Sequence, residues 1–220
     1  MNIAIDGPAG AGKSTIAKKV AKELGYIYVD TGAMYRAMAL YFIRLGVSPD
    51  ETEKIDTMCA DADISIEYQN GEQVVVLNGE NVNGLIRTEE VGNMASATSV
   101  NPDVREKLVE LQRILASKEN VVMDGRDIGT VVLPNANVKI FLTASSRVRA
   151  QRRFLELQGK GIEADINKIE ADIIERDNRD MTREISPLKQ AEDATLVDSS
   201  EMSIDEVVAT MIALVDEKVK

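Results

Sequence analysis

Residues 7 to 14 constrain most strongly what this chain can fold into. Gly7-Pro8-Ala9-Gly10-Ala11-Gly12-Lys13-Ser14 matches the phosphate-wrapping spacing G-x-x-x-x-G-K-[ST]. The short apolar run Ile3-Ala4-Ile5 before it has the character of a buried strand. After it, Ile16, Ala17, Val20, Ala21 and Leu24 repeat at helical spacing, and Gly25 stands where a left-handed cap ends a helix. Strand, loop and helix are the context this motif requires. The glycines let successive N–H groups turn toward one centre, and the helix N-terminus adds its positive end. Lys13 supplies a mobile point charge for the β- and γ-phosphates, and Ser14 offers its hydroxyl to Mg²⁺. A glycine-rich turn that merely joins a strand to a helix is the plainer alternative; the complete consensus and both flanking elements favour a nucleoside triphosphate site.

Composition narrows the chemistry. The chain of 220 residues has no histidine, which excludes Ser-His-Asp hydrolysis and the usual zinc sites. Phosphoryl transfer survives that exclusion, because it depends on positioning, Mg²⁺ and cationic clamps. The formal net charge of −11 argues against nucleic acid or an anionic membrane as partner. The lone cysteine, Cys59, rules out an internal disulfide, and its apolar neighbours suggest a packing thiol. No stretch approaches the roughly 20 apolar residues that span a bilayer, and no leader-like pattern opens the chain, so the expected location is cytoplasmic. Seven of the thirteen arginines lie between Arg147 and Arg183, inside an otherwise acidic chain.

Along the chain, Ile27-Tyr28-Val29-Asp30 suggests a second buried strand ending in Asp30-Thr31-Gly32. Met34, Ala37, Met38, Tyr41, Phe42 and Leu45 then form a helical core stripe closed by Gly46, with Tyr35 and Arg36 in its first turn. A capped acidic helix is expected over 48–62. The period then changes. Ile64 to Tyr68 alternates, Asn70-Gly71 signals a hairpin turn, Val74 to Leu77 forms a second strand, and Asn78-Gly79 turns into a short third one. Helices are expected over 88–99 and 102–117. Val121-Val122-Met123 and Val138 to Leu142 are further strands, followed by a helix capped near Ser145 or Ser146, a second from about 166 to 180, a strand over 195–198 and a last helix capped by Ser203. Five short apolar strands alternating with helices imply a parallel sheet covered on both faces, with a small antiparallel insertion.

Asp124 ends the third core strand, where a Mg²⁺-water partner sits in phosphate-loop enzymes. Arg126 and Asp127 follow it closely. Most charges between Arg147 and Arg183 suit a solvated helix face balanced by Glu156, Glu163, Asp172 and Glu175. Arg176 to Arg183, with few apolar anchors, continues past the expected helix end and suits a mobile guanidinium-bearing lid that excludes water. No D-x-x-G occurs, and Asn167-Lys168-Ile169-Glu170 places Glu where a guanine-reading loop needs Asp, which argues against a signalling GTPase. A binding or regulatory ATPase remains the alternative to a kinase.

Taken together, Ile5 to Ser14, Asp30-Thr31-Gly32-Ala33-Met34-Tyr35-Arg36, the hairpin insertion, Asp124-Gly125-Arg126-Asp127-Ile128-Gly129-Thr130 and Arg176 to Arg183 resemble the bacterial cytidylate kinase family over essentially the whole chain. The resemblance implies an α/β phosphate-loop kinase that transfers the γ-phosphoryl group of ATP to CMP or dCMP with Mg²⁺, usually as a monomer. It implies a core over 1–62, 85–150 and 184–220, a monophosphate-binding insertion over about 63–84 and a lid region over about 151–183. Gly7, Pro8, Ala9, Gly10, Ala11, Gly12, Lys13, Ser14 and Thr15 would hold ATP, joined at the base of the lid by Arg149 and Arg153. Ser14 would ligate Mg²⁺ directly and Asp124 through water. Arg36, Arg126 and Arg183 would clamp the acceptor phosphate. Ser96, Arg105 and Asp127, with Thr31 and Tyr35 nearby, would surround cytosine, and Arg176 and Asp180 would approach the sugar. Lys13, Asp124, Arg126 and Arg183 would carry the catalysis.

Overall fold

Ile3, Ala4 and Ile5 expose no surface, as a strand covered on both faces must, and the main sheet is built around them. The computed structural model describes residues 1–69 and 71–219; Asn70, half of the expected Asn70-Gly71 turn, lies outside the described residues. The chain opens with β1 (Asn2–Asp6), α1 (Lys13–Leu24), β2 (Ile27–Asp30), α2 (Thr31–Arg44) and α3 (Thr52–Cys59). The strands β3 (Ile64–Gln69), β4 (Glu72–Leu77) and β5 (Glu80–Asn81) come next, then α4 (Glu89–Thr98) and α5 (Pro102–Lys118). The remainder comprises β6 (Val121–Gly125), a π-helical turn over Ile128–Val132, β7 (Val138–Thr143), α6 (Ser146–Gly159), α7 (Ile166–Thr182), β8 (Thr195–Asp198) and α8 (Ile204–Val219).

The main sheet has the order β2-β6-β1-β7-β8. β1 runs parallel to both β6 and β7, and β8 runs parallel to β7. Parallel neighbours need crossovers, and the helices supply them. The register sets Ile5 opposite Asp124 and Ile140, and Asp6 opposite Gly125 and Phe141. The glycine-rich loop therefore leaves β1 level with the carboxyl ends of its neighbours, where ligands of open α/β sheets bind.

The chain divides into two compact units, Met1–Ile27 with Asn120–Lys220, and Tyr28–Glu119. The second has its own core, in which Phe42, Met34, Met38, Ile55, Leu77, Ile86 and Leu108 are fully buried. Burying each such side chain contributes about 1.5–3 kcal/mol. Cys59 is buried in the same cluster. The antiparallel sheet has the order β3-β4-β5, with Ile64 opposite Leu77 and Ile66 opposite Val75.

Four local features differ from expectation, each for a visible reason. β2 passes directly into α2 because the Asp30 carboxylate caps the helix, accepting the Ala33 N–H at 2.9 Å. Thr31 and Gly32 are consequently helical, and Tyr35 and Arg36 fall beyond the first turn. α3 is shorter than 48–62. The Ser48 N–H is held back by the Glu51 carboxylate, and the Lys107 ammonium takes the Cys59 and Ala60 carbonyls that would otherwise continue the ladder. α7 extends to Thr182, two residues past the expected end near 180, so that of the stretch Arg176 to Arg183, expected to continue beyond the helix as a mobile lid, only Arg183 lies outside it. Its anchors are polar: Asp177 and Asp180 are buried and ion-paired. The π-turn after β6 forms because the Asp127 carbonyl accepts N–H groups from both Val131 and Val132.

Candidate active site

In the first unit the phosphate loop is shaped by close backbone approach. Gly7 has φ +150°, and a Cβ there would stand 1.9 Å from the Leu142 carbonyl oxygen, so only glycine fits between loop and β7. Lys13 opens α1, is buried, and donates from Nζ to the Pro8 carbonyl at 2.8 Å. Burial and then the Arg126 guanidinium hold its ammonium well below the ordinary lysine range, while Asp124, Asp6 and Asp180 pull the other way. An arriving polyphosphate adds to that second group of charges and favours the ammonium.

Ser14 Oγ donates to Asp124 Oδ2 at 3.0 Å, joining the first turn of α1 to the end of β6. A hydroxyl and a carboxylate are hard oxygen donors and fit Mg²⁺. Among the described residues no group of three or more His, Cys, Asp or Glu could hold a metal, so this pair can act only as part of a coordination sphere completed by substrate oxygens and water.

Arg149 is buried on α6, and each of its three guanidinium nitrogens donates a hydrogen bond. Nε donates to the Ala144 carbonyl at 2.8 Å, Nη1 to the Ala9 carbonyl at 2.9 Å and Nη2 to Asp177 at 2.6 Å. It grips the phosphate loop itself, tying Ala9 to α7. Arg153, in contrast, is exposed and pairs with Glu156 on its own helix.

Arg126 follows β6 and donates from Nε to Asp180 Oδ2 at 2.8 Å, which ties it to α7. Asp127 is buried beside it. Arg183, just past α7, donates from Nε to the Ser186 carbonyl at 2.6 Å, and Arg176 is exposed on α7. In the second unit the Asp30 carboxylate gathers Arg36 at 3.2 Å and Arg87 at 2.8 Å. The Arg105 guanidinium lies 5.7 Å from the Tyr35 ring centroid and donates to the Ser99 carbonyl. Thr31 is buried and Ser96, on α4, is half-buried. Thr31, Tyr35, Arg36, Ser96 and Arg105 thus belong to the second unit, and Arg126, Asp127, Arg176, Asp180 and Arg183 to the first.

Two residues escaped the sequence reading. Arg87 is a lone arginine in an irregular stretch and carries no pattern. Asp6 did leave a signal, an acid at the end of an otherwise apolar strand. Its carboxylate is 4% exposed and accepts the N–H groups of Ile128 and Gly129. Burial raises its pKa from 3.8 to about 6, against the lowering effect of those two bonds. Because the folded value exceeds the unfolded one, the folded state holds the extra proton. The associated stability is present below pH 3.8 and lost as pH rises through 6. Asp6 is therefore expected to contribute on the order of 1 kcal/mol more at pH 5 than at pH 7.5. A ¹³C-carboxyl NMR titration should place its midpoint near 6; a midpoint near 3.8 contradicts the effect of burial.

The family model described as "Cytidylate kinase" matches residues 3–217. The chain is 51% identical over 220 residues to a cytidylate kinase of Caldicellulosiruptor bescii, covering 100% of this chain and 97% of that protein. It is 52% identical over 214 residues to a cytidylate kinase of Caldicellulosiruptor saccharolyticus, covering 97% and 95%. Among solved structures it resembles a shikimate kinase from Bacteroides thetaiotaomicron with a TM-score of 0.51 and 16% identity, over 98% of both chains, a likeness of fold alone. A full-length family match at about half identity, on a phosphate loop with its lysine and its Ser14–Asp124 pair in place, establishes that the chain belongs to the cytidylate kinase family.

Proposed function

We infer that this chain transfers the γ-phosphoryl group of ATP to CMP or dCMP, releasing ADP and CDP or dCDP. The observation that carries the reading is the end-to-end match to relatives that are cytidylate kinases. The chemistry suits the residues present. The nucleophile is a phosphate oxygen, and phosphate monoesters have a second pKa of about 6, so no general base is needed. What must be overcome is repulsion between two polyanions, which guanidinium forks and an ammonium relieve.

Each residue then has a task. Gly7 to Thr15 wrap the triphosphate, and Lys13 places its charge at the β- and γ-phosphates. Arg149 holds the loop's shape through Ala9, and Arg153 serves the donor side from the exposed face of α6. Arg126 and Arg183 take the acceptor phosphate in the first unit, and Arg36 does so in the second. Arg126 is oriented beforehand by Asp180, which with Arg176 approaches the sugar. Ser14, and Asp124 through water, would hold Mg²⁺, which when bound would neutralise charge on the phosphates. The small antiparallel sheet serves the monophosphate, and the region through Arg183 acts as a short lid that excludes water. The enzyme works as a cytoplasmic monomer without nucleic acid or membrane. The net charge of −11 disfavours nucleic acid, and among the described residues no helix is long and apolar enough to cross a membrane.

Cytosine presents acceptors at O2 and N3 and a donor at N4. Arg105, with Ser96, Thr31 and Tyr35 in its unit, suits the acceptors, and Asp127 suits the donor. Uracil reverses the pattern at N3 and position 4, and a carboxylate facing O4 is repelled. Asp127→Asn is expected to narrow the CMP/UMP ratio of kcat/KM by at least about tenfold in an ADP-coupled assay. An unchanged ratio removes Asp127 from base reading.

A further inference from the structure

We propose that Asp6 is a positioning residue for acceptor specificity, setting the place of the Asp127 carboxylate without touching substrate; this rests on the base-reading role given to Asp127 above. The two carboxylate oxygens of Asp6 divide their work. Oδ1 accepts the Ile128 N–H and Oδ2 accepts the Gly129 N–H, each at 2.7 Å. These are the two residues directly after Asp127. On the near side, the Asp127 carbonyl accepts the N–H groups of Val131 at 2.8 Å and Val132 at 3.2 Å. Four hydrogen bonds therefore fix the main chain from which the Asp127 side chain projects. The Asp127 backbone, at φ −144° and ψ 26°, lies between the extended and helical basins and needs such support.

The carboxylate is chemically specific to this task. Two N–H donors on consecutive residues need two acceptor oxygens, which an ionised carboxylate has and an amide lacks. Burying a charge is costly, so a residue that served packing alone would be better apolar. Gly129 belongs to the same device. A Cβ at that position would come within 3.4 Å of Asp6 Oδ2 and 3.2 Å of Lys139 Cδ, so the bare backbone lets the N–H reach the carboxylate. Asp6 also ends the strand that leads into Gly7, so a single buried side chain connects the start of the phosphate loop to the segment that carries Arg126 and Asp127.

The test is Asp6→Asn, assayed with CMP and UMP beside the unaltered enzyme. Asparagine keeps the size, but sets an NH₂ group against one of the two N–H donors. The CMP/UMP ratio of kcat/KM is expected to fall about tenfold, chiefly through a raised KM for CMP, with KM for ATP within about twofold. A preserved ratio, or a KM for ATP that moves as far as that for CMP, overturns the proposal and assigns Asp6 to the loop alone. Should the variant not fold, Gly129→Ala decides: the added methyl group presses on the same carboxylate, and a ratio reduced about threefold supports the proposal while an unchanged one overturns it. If the unaltered enzyme shows no preference for CMP, the base-reading assignment fails and this proposal with it. If that preference is present and survives in the variants, this proposal fails alone.

Discussion

Replacing Lys13 with Met should lower kcat by about a thousandfold or more while leaving Tm undiminished. The two halves of that expectation have one cause. Lys13 is buried, and its ammonium donates to the Pro8 carbonyl amid Asp6, Asp124, Asp180 and Arg126. Burial and Arg126 disfavour its charge before substrate binds, so an apolar side chain of similar length removes a strained ionisable group at little cost in packing. The same charge becomes favourable when negative oxygens arrive, and it is worth most where charge shifts during transfer. Turnover in an ADP-coupled assay and a thermal melt of the same preparation check both halves. A loss of kcat under tenfold, or a variant that no longer folds, contradicts this account of Lys13.

Arg126→Ala is expected to reduce kcat/KM for CMP by about a thousandfold with ATP affinity changed only a few-fold. Arg126 reaches Asp180 through Nε at 2.8 Å and the Gly125 carbonyl through Nη1 at 3.4 Å, bonds that set the plane of the guanidinium before the acceptor phosphate arrives. Arg126→Lys keeps the charge but not the bidentate geometry, so it should recover only a small part of the loss. Steady-state kinetics with CMP varied, and equilibrium binding of ATP, separate the two substrates. An equal loss of ATP affinity would place Arg126 on the donor side.

How much of this was legible beforehand depended on whether the information was local. The phosphate loop was legible because its demands are made within eight residues, each recognisable by type. The five core strands were legible as short apolar runs, and the antiparallel insertion as alternation between glycine turns. Asp30 and Asp124 stood at strand ends, with Asp127 three residues beyond the second, where function in open sheets gathers. Pairings distant along the chain were not legible. Nothing in residues 145–150 announces that Arg149 grips Ala9, 140 positions away, or that Asp6 meets Ile128 and Gly129. The polar anchoring of α7 was hidden for the same reason: nothing near Asp177 or Asp180 in the chain shows that Arg149 and Arg126 pair with them. The boundary of α3 depended on Lys107, 48 residues beyond Cys59.

The central claim is that this chain moves phosphate from ATP to a cytosine nucleotide. It is tested most directly by ADP formation from ATP and Mg²⁺ with CMP, dCMP, UMP, AMP or no acceptor, measured side by side on one preparation. The account predicts strong turnover with CMP and dCMP and little with the other three. Preference for UMP or AMP would contradict the roles given to Arg105 and Asp127, and equal ADP formation without any acceptor would contradict the kinase itself.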